Sequence, residues 1–397
     1  MRKYSHLNAE LGTLTVFRDL LEEPVIVRLR ELISCDDRDR NGLTERYCVF
    51  VRELYGHGES FSGWLLKYIS EDENVYVKLI IAGKQPGPCM ETSLENELEV
   101  LQRLARLSSA ELTAEIGSGF SLPQWKTEEV DLTGAYRRRI EEIPTKGYGI
   151  FAKYHVFVID ENGLVPVRHP DPQSLDHLYG YETERDKVMR NTLSLVEGKG
   201  ANNVLLYGDA GTGKSSTVKA IANALKDHGL RLVEVRKNQL YLLPGLMDSL
   251  EGSPLKYIIF IDDLSFSRGD GDFAALKAIL EGSVGNRGKN IAVYATSNRR
   301  HLVRESMSDR EGDDIHLSDT LQEMKSLSAR FGLTVTFLRP EKELYCEIVE
   351  NLAREHRVAM DKDRLMVKAE AHAIRNGGRS PRVAKQFVEL LTQGVIE

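Results

Sequence analysis

The chain has few cysteines, and their placement excludes two classes of small, cross-linked protein. Among its 397 residues only Cys35, Cys48, Cys89 and Cys346 occur. No two of them have C-x-x-C spacing, so the sequence indicates neither a zinc site nor a disulfide framework. Reduced thiols in a cytoplasmic protein are the simplest interpretation.

Long apolar runs and repeats are also missing. No segment approaches the roughly 18 consecutive apolar residues of a membrane span. No apolar signal-peptide core follows Met1. No low-complexity tract and no internal repeat occurs. We therefore expect a cytoplasmic protein without membrane contact.

Basic residues do not predominate. The formal net charge is −7, which argues against a whole-surface attraction to nucleic acid or to anionic membranes. A local basic patch is still compatible with this charge. Hydrophobic residues make up 41% and charged residues 28%, as in ordinary globular proteins. The length suffices for two or three domains that each bury a core.

The most informative stretch present is residues 208–215, a complete G-x-x-x-x-G-K-[ST] phosphate-binding loop. It follows an apolar strand pattern over 204–207 and opens an amphipathic helical pattern. The glycines let backbone N–H groups face phosphates, and the helix N-terminus adds its positive end. The residues predicted to bind a nucleoside triphosphate are Gly208, Asp209, Ala210, Gly211, Thr212, Gly213, Lys214, Ser215 and Ser216.

Hydrolysis of a triphosphate bound at this loop needs a metal ion and a general base beside it. Lys214 can reach the β- and γ-phosphates, and the Ser215 hydroxyl can ligate Mg²⁺. The apolar run 257–261 ends in Asp262 and Asp263. Asp262 is predicted to hold Mg²⁺ together with Ser215, and Asp263 to polarise the attacking water as a general base. The alternative is that both carboxylates cap a following helix.

Three further polar residues are candidates for catalysis. Asn298 follows the strand pattern 291–295, where an amide can hydrogen-bond the γ-phosphate and the water; a polar turn is the alternative. Arg330 precedes the last strand, which suits insertion into a neighbour's site as an arginine finger. Arg382 begins the final helix after Pro381 and can reach the γ-phosphate of its own subunit. Either arginine could instead be a solvated surface residue.

The patterns divide the chain into three predicted domains, residues 1–172, 173–339 and 340–397. His169–Pro172 is a stiff break and marks the first boundary. Beyond it, apolar strands alternate with helical segments, which indicates a parallel sheet covered on both faces. The last domain is predicted to be helical, with a break at 376–378.

The first domain is predicted to be α/β and of unknown role. Residues 74–81 alternate in the manner of a strand. Thr92–Glu95 forms a capping-box pattern that predicts the start of a helix, and Leu94, Leu98, Leu101 and Ala105 share one face of that helix. Two β-rich runs flank a turn at 160–163, which predicts a hairpin.

The ordered motifs resemble those of the AAA+ ATPases over about residues 175–397. After the phosphate loop and the acidic strand end come Thr-Ser-Asn at 296–298, Ala-Arg-Phe-Gly at 329–332 and Ser-Pro-Arg at 380–382. The resemblance implies an α/β P-loop core whose five-stranded parallel sheet has the phosphate-loop strand at its centre. It also implies a C-terminal helical lid and a homo-oligomer whose subunits share ATP sites.

The chain is similar in particular to a bacterial AAA+ family of unknown function, through segments 207–216, 260–266, 280–282, 294–302 and 151–154. The AAA+ resemblance implies that residues 178–181, including Tyr179 and Gly180, cover the adenine base. In two places the chain departs from the usual pattern. Asp263 stands where most AAA+ proteins have Glu, and Ala329 stands where Asp is common.

These observations predict an ATPase that hydrolyses ATP to ADP and phosphate with Mg²⁺ and remodels an unknown macromolecule, foremost a protein. One alternative is a DNA-associated initiator or helicase-loader relative, which the Asp-Asp pair suggests. Another is a slow nucleotide-gated scaffold, which the short reach of Asp263 favours. Residues 304–326 are interpreted as a solvated loop or a partner-binding insertion. No Asn-Lys-x-Asp motif occurs, which disfavours a GTPase.

Overall fold

A computed structural model describes residues 4–35, 39–117, 119, 121–264, 276–277, 280, 289–298 and 330–396. The contacts between residues divide the chain into two units, Met1–Ala152 and Lys153–Glu397. Within the described ranges, no helix has the length and apolar composition needed to cross a membrane. The predicted break at 169–172 lies inside the second unit, because the hairpin before it pairs with that unit's sheet.

The first unit is helical, and its described residues contain no β-strand. The described strands within the predicted α/β domain of residues 1–172 are those of the hairpin at 156–166, which belongs to the second unit. Its helices are α1 (Ser5–Leu11), α2 (Pro24–Ile33), α3 (Arg40–Tyr55), α4 (Phe61–Glu71), α5 (Val75–Ile81), α6 (Pro88–Ala105), α7 (Ser109–Ile116), α8 (Leu132–Lys146) and α9 (Gly149–Lys153), the last ending at the unit boundary. Their apolar faces form one continuous core.

Helix α5 occupies the segment predicted as a strand. The Asn74 side chain caps it by accepting the N–H of Val77 at 3.0 Å, and the Asn74 amide contacts the buried Tyr136 hydroxyl. Tyr76 and Val77 are buried. Cap and burial outweigh the β-propensity of these residues, because that propensity measures fit to a pleated surface and the described residues of this unit form no sheet.

Helix α6 begins at Pro88, four residues before the predicted capping box. Proline suits the first helical turn because it has no N–H to leave unpaired. Thr92 lies within the helix and donates its hydroxyl to the Pro88 carbonyl. The predicted apolar face is confirmed, because Leu94, Leu98, Leu101 and Ala105 are all buried.

The described residues of the second unit form a seven-stranded sheet in the order β2-β1-β4-β5-β6-β3-β7. Its strands are β1 (Val156–Asp160), β2 (Gly163–Pro166), β3 (Val204–Gly208), β4 (Leu230–Glu234), β5 (Lys256–Ile261), β6 (Ile291–Ser297) and β7 (Leu333–Phe337). The last five match the predicted strands to within two residues at each end. The predicted hairpin β1–β2 is confirmed, but β1 pairs with β4, so the sheet has seven strands rather than five. The phosphate-loop strand β3 lies between β6 and the edge strand β7, not at the centre.

The register of the sheet brings three strand ends together. β3 and β6 are parallel neighbours, with Val204 opposite Tyr294, and β5 pairs with β6 so that Ile261 lies opposite Ala295. The carboxyl ends of β3, β5 and β6 therefore lie side by side. In open parallel sheets this edge is where ligands bind.

The helices of the second unit cover the sheet and continue beyond it. They are α10 (Glu182–Val196), α11 (Lys214–Leu225), α12 (Leu243–Leu250), α13 (Lys342–Glu355), α14 (Lys362–Arg375) and α15 (Pro381–Thr392). The predicted break before α15 is confirmed, with Gly377 and Gly378 both at positive φ. Residues of α13, α14 and α15 share one buried cluster with the sheet.

Glu97 on α6 is a buried carboxylate that holds the chain before α2. It accepts the N–H groups of Thr15, Val16 and Phe17 and the Thr15 hydroxyl, at 2.6–3.0 Å.

We expect Glu97→Gln to lower the free energy of unfolding by about 2–4 kcal/mol, because charge-assisted bonds are lost and the new amide N–H group faces donors. Chemical denaturation measures this change. The exposed Glu99→Gln is the control on the same helix, and equal stability of the two variants would contradict the assignment.

Candidate nucleotide-binding site

A cleft of about 520 Å³ opens at the carboxyl edge of the sheet. It is lined by residues 210–216 of the phosphate loop and by five other predicted site residues, which are Tyr179, Asp262, Asp263, Asn298 and Arg382. Gly208, Asp209 and Gly180 adjoin the cleft without lining it. Arg330 is not among the lining residues of the described chain.

The phosphate loop joins β3 to α11 through a backbone that requires glycine. Gly208, Gly211 and Gly213 have φ values of 140°, 78° and 93°, which side-chain-bearing residues rarely adopt. At Gly208 the contact is also close: a Cβ atom there would lie 1.9 Å from the carbonyl oxygen of Phe337 on the neighbouring β7. The loop therefore turns against the end of the edge strand.

Asp209 connects the same loop to the last residue of β7 and to the chain just after it. Its N–H donates to the Phe337 carbonyl at 3.0 Å, and its carboxylate accepts the N–H of Arg339 at 2.8 Å. Thr212 donates its hydroxyl to the Asp209 carbonyl at 2.9 Å. These bonds hold the start of the loop against the end of β7 and the residues that follow it.

Lys214 is buried at the start of α11, where its ammonium group has three acceptors. Nζ donates to the carbonyls of Gly208 and Asp209 at 2.9 and 2.7 Å, and to Oδ1 of Asn298 at 3.0 Å. Burial lowers the pKa of Lys214, while the carboxylates of Asp209, Asp262 and Asp263 oppose this change. These carboxylates favour the charged form of the lysine.

Ser215 and Asp262 are in direct contact, as the predicted metal pair requires. The Ser215 hydroxyl donates to Oδ1 of Asp262 at 2.6 Å. No group of three His, Cys, Asp or Glu side chains arranged for a metal occurs among the residues with described positions. One hydroxyl and one carboxylate nevertheless fit Mg²⁺, which usually takes few protein ligands and completes its shell with phosphate and water.

Asp263 and Asn298 also lie together. The Asn298 amide donates to Oδ1 of Asp263 at 2.9 Å, while its oxygen accepts from Lys214. Asn298 therefore bridges the lysine of the phosphate loop and the second carboxylate. Asp263 has a positive φ of 51°, which is uncommon for a residue with a side chain.

Thr296 is a site residue to which the sequence reasoning assigned no role. Its hydroxyl donates to Oδ1 of Asp262 at 2.5 Å and accepts the N–H of Asp263 at 2.9 Å. The available signal was its place in the polar run at the end of β6, two residues before Asn298. Lys385, one turn after Arg382 on α15, lines the cleft as well and was also missed.

The C-terminal helices meet the phosphate loop directly. The backbone N–H of Arg382 donates to the Gly211 carbonyl at 3.1 Å. A Cβ atom on Gly211 would lie 3.1 Å from Cβ of Arg382. The predicted position of Arg382 beside the loop thus rests on backbone contact at the first turn of α15.

The segment before α10 forms one rim of the cleft. The Tyr179 hydroxyl donates to one carboxylate oxygen of Glu355 at 3.0 Å, and Nδ1 of His177 lies 2.5 Å from the other. Gly180 has φ 75°, and a Cβ atom there would lie 3.0 Å from Cδ1 of Ile348. This rim is therefore joined to α13 by polar and apolar contacts. His177 and Glu355 are further residues missed from the sequence.

Several sequence predictions lie outside the described residues. They concern the segment 304–326, residues 326–329 before Arg330, and the parts of the family motifs at 265–266, 281–282 and 299–302. Arg330 itself is half-buried and immediately precedes the Phe331-Gly332 pair that leads into β7.

A profile of the family described as "Protein of unknown function (DUF815)" matches residues 152–394. No curated protein matches the chain. Among solved structures, two of Thermotoga maritima RuvB are similar, one a single-residue variant at 19% identity and one described as a Holliday junction branch migration motor at 18%. Each alignment has a TM-score of 0.38 and covers 55% of this chain but only 63% of the RuvB chain.

Gly208→Ala tests whether the packed loop is required for nucleotide binding. We expect ATP affinity to fall at least tenfold (about 1.4 kcal/mol), because the new Cβ forces the loop away from the Phe337 carbonyl. Titration with a fluorescent ATP analogue measures it. Gly252→Ala is the matched control, since Gly252 also has positive φ (78°) but open space around it. Unchanged affinity in a folded Gly208→Ala protein would contradict the expectation.

Proposed function

This chain belongs to the DUF815 family, and we propose that it is an AAA+ ATPase that binds ATP with Mg²⁺ and hydrolyses it to ADP and phosphate. The observation that carries the proposal is the meeting of three strand ends in one cleft. There Lys214 contacts Asn298, Ser215 contacts Asp262, and Asn298 contacts Asp263.

Each residue has a chemical role in this proposal. Backbone N–H groups of residues 210–216 bind the phosphates, and the Lys214 ammonium group neutralises the β- and γ-phosphate charge. Ser215 and Asp262 hold Mg²⁺, which when bound offsets the charge that develops on the phosphate oxygens. Asp263 accepts the proton of the attacking water, and the Asn298 amide orients that water or the γ-phosphate.

The C-terminal helices act in the proposal as a lid over the nucleotide. Support comes from the backbone contact of Arg382 with Gly211 and from the position of Tyr179 at the cleft rim. Arg382 and Lys385 add positive charge on the lid side. Tyr179 and Gly180 belong to the segment proposed to cover the adenine.

The proposal includes a homo-oligomer in which Arg330 enters the site of a neighbouring copy. Its support is that Arg330 precedes β7, the edge strand of the sheet, and is not one of the described residues lining its own cleft. The proposal further couples hydrolysis in this oligomer to the remodelling of a protein partner. A slowly hydrolysing, nucleotide-gated scaffold is the second candidate, because Asp263 reaches less far than a glutamate.

Two substitutions in the cleft test the ATPase itself. We expect Lys214→Ala to weaken ATP binding by at least about 100-fold, because a phosphate-neutralising cation is lost. We expect Asp263→Asn to bind ATP but to lower the turnover rate by about 10²–10⁴-fold, because the base is lost. Phosphate release and nucleotide titration measure these effects. The control is Lys219→Ala, which removes another lysine of α11, one that pairs with Glu234 of β4. Normal turnover by Asp263→Asn would show that Asp263 is not the general base.

A mixing experiment tests the shared site. We expect Arg330→Ala to retain ATP binding but to lose turnover by about 10³–10⁵-fold, the usual contribution of an arginine finger. Mixed with Lys214→Ala, it should regain part of the activity, because a mixed interface pairs an intact loop with an intact finger. Phosphate release over a range of mixing ratios measures the recovery. No recovery, together with a monomer by sedimentation in ATP, would exclude the shared site.

A further inference from the structure

The two acidic residues after β5 are held in place by a single hydroxyl on the neighbouring strand. Thr296 is buried at the end of β6. Its hydroxyl donates to Oδ1 of Asp262 at 2.5 Å and accepts the N–H of Asp263 at 2.9 Å. One atom thus makes a bond to the side chain of one acid and to the backbone of the next.

The bond to Asp262 determines which carboxylate oxygen can reach a metal. Oδ1 accepts from three donors, the hydroxyls of Ser215 and Thr296 and the N–H of Asp263. No donor to Oδ2 occurs among the described residues, and this side chain lines the cleft. Three donors on Oδ1 fix the plane of the carboxylate, and Oδ2 is therefore the oxygen with acceptor capacity left for a metal.

The bonds to the backbone hold Asp263 in an unusual conformation. Asp263 has φ 51°, in the left-handed region that non-glycine residues rarely adopt. Its N–H is bonded to the Thr296 hydroxyl, and the next N–H, of Leu264, donates to the Thr296 carbonyl at 2.7 Å. Such a conformation persists where surrounding bonds determine it. Thr296 therefore holds the backbone from which the Asp263 side chain projects.

We infer that Thr296 is the positioning residue of this site, acting through Asp262 on Mg²⁺ binding and through Asp263 on water activation. The inference rests on the proposed ATPase function. Groups that orient a metal ligand by hydrogen bonding commonly change metal affinity or activity by about 10–100-fold when removed. Thr296 acts here without itself being a predicted ligand or base.

Thr296→Val tests the inference, because valine keeps the shape of threonine and removes only the hydroxyl. ATP affinity is measured with a fluorescent analogue in EDTA and across a Mg²⁺ titration, and turnover by phosphate release. We expect turnover to fall about 10–100-fold, the half-saturating Mg²⁺ concentration to rise about tenfold, and affinity in EDTA to stay within about threefold. Thr296→Ser retains the hydroxyl and should restore both properties to within about threefold.

The matched control is Thr192→Val. Thr192 is equally buried, on α10, and its hydroxyl bonds the Tyr294 hydroxyl of β6 at 2.8 Å, away from the cleft. We expect this variant to lose stability in thermal unfolding without a change in Mg²⁺ dependence. If Thr296→Val does not fold, Thr296→Cys takes its place, with a weaker group that should give an intermediate loss.

Three results would overturn the inference. They are a Mg²⁺ dependence of folded Thr296→Val within twofold of wild type, an equal shift in Thr192→Val, or a Thr296→Ser protein as defective as Thr296→Val. These outcomes differ from a failure of the proposed function. In that case the wild-type chain itself would neither bind nor hydrolyse ATP.

Discussion

The parallel register of β3, β5 and β6 is the constraint on which the candidate site depends. Pairing of Val204 with Tyr294 and of Ile261 with Ala295 ends the three strands at one edge. The phosphate loop, the two acids and Asn298 follow those ends within a few residues. Because a parallel strand must return through a crossover, residues far apart in the chain reach the same cleft. Helices on the faces bury the strands and fix the register.

Within the cleft, opposite charges and hydrogen bonds are arranged in one connected set. Lys214 is buried, which alone disfavours its charge, but three carboxylates act in the other direction. Asn298 connects this lysine to Asp263, and Thr296 connects Asp263 to Asp262. Lys214 and Thr296 are the buried members of this set, whereas Asp262, Asp263 and Asn298 are exposed to the cleft.

The helical first unit marks where sequence patterns were insufficient. Residues 75–81 are rich in β-branched and aromatic side chains, yet Asn74 caps them as a helix and Tyr136 packs beside the cap. Asn74 can be recognised as a cap in the sequence. Its side chain, however, also bonds the hydroxyl of Tyr136, which lies 62 residues away in the chain. The start of α6 was misplaced for a local reason, because Pro88 begins the helix before the capping-box residues.

The sequence by itself determined the local features. The phosphate loop, five strands of the sheet, the hairpin turn and the final helices all follow from glycine spacing, apolar runs and proline placement, which act over a few residues. The tertiary structure alone decided that the hairpin extends the sheet through β1 and β4, and that β3 lies next to an edge. It alone brought Thr296 to both acids, and Glu355 to Tyr179 and His177. These contacts depend on strand register and helix packing between distant residues, which no local pattern specifies.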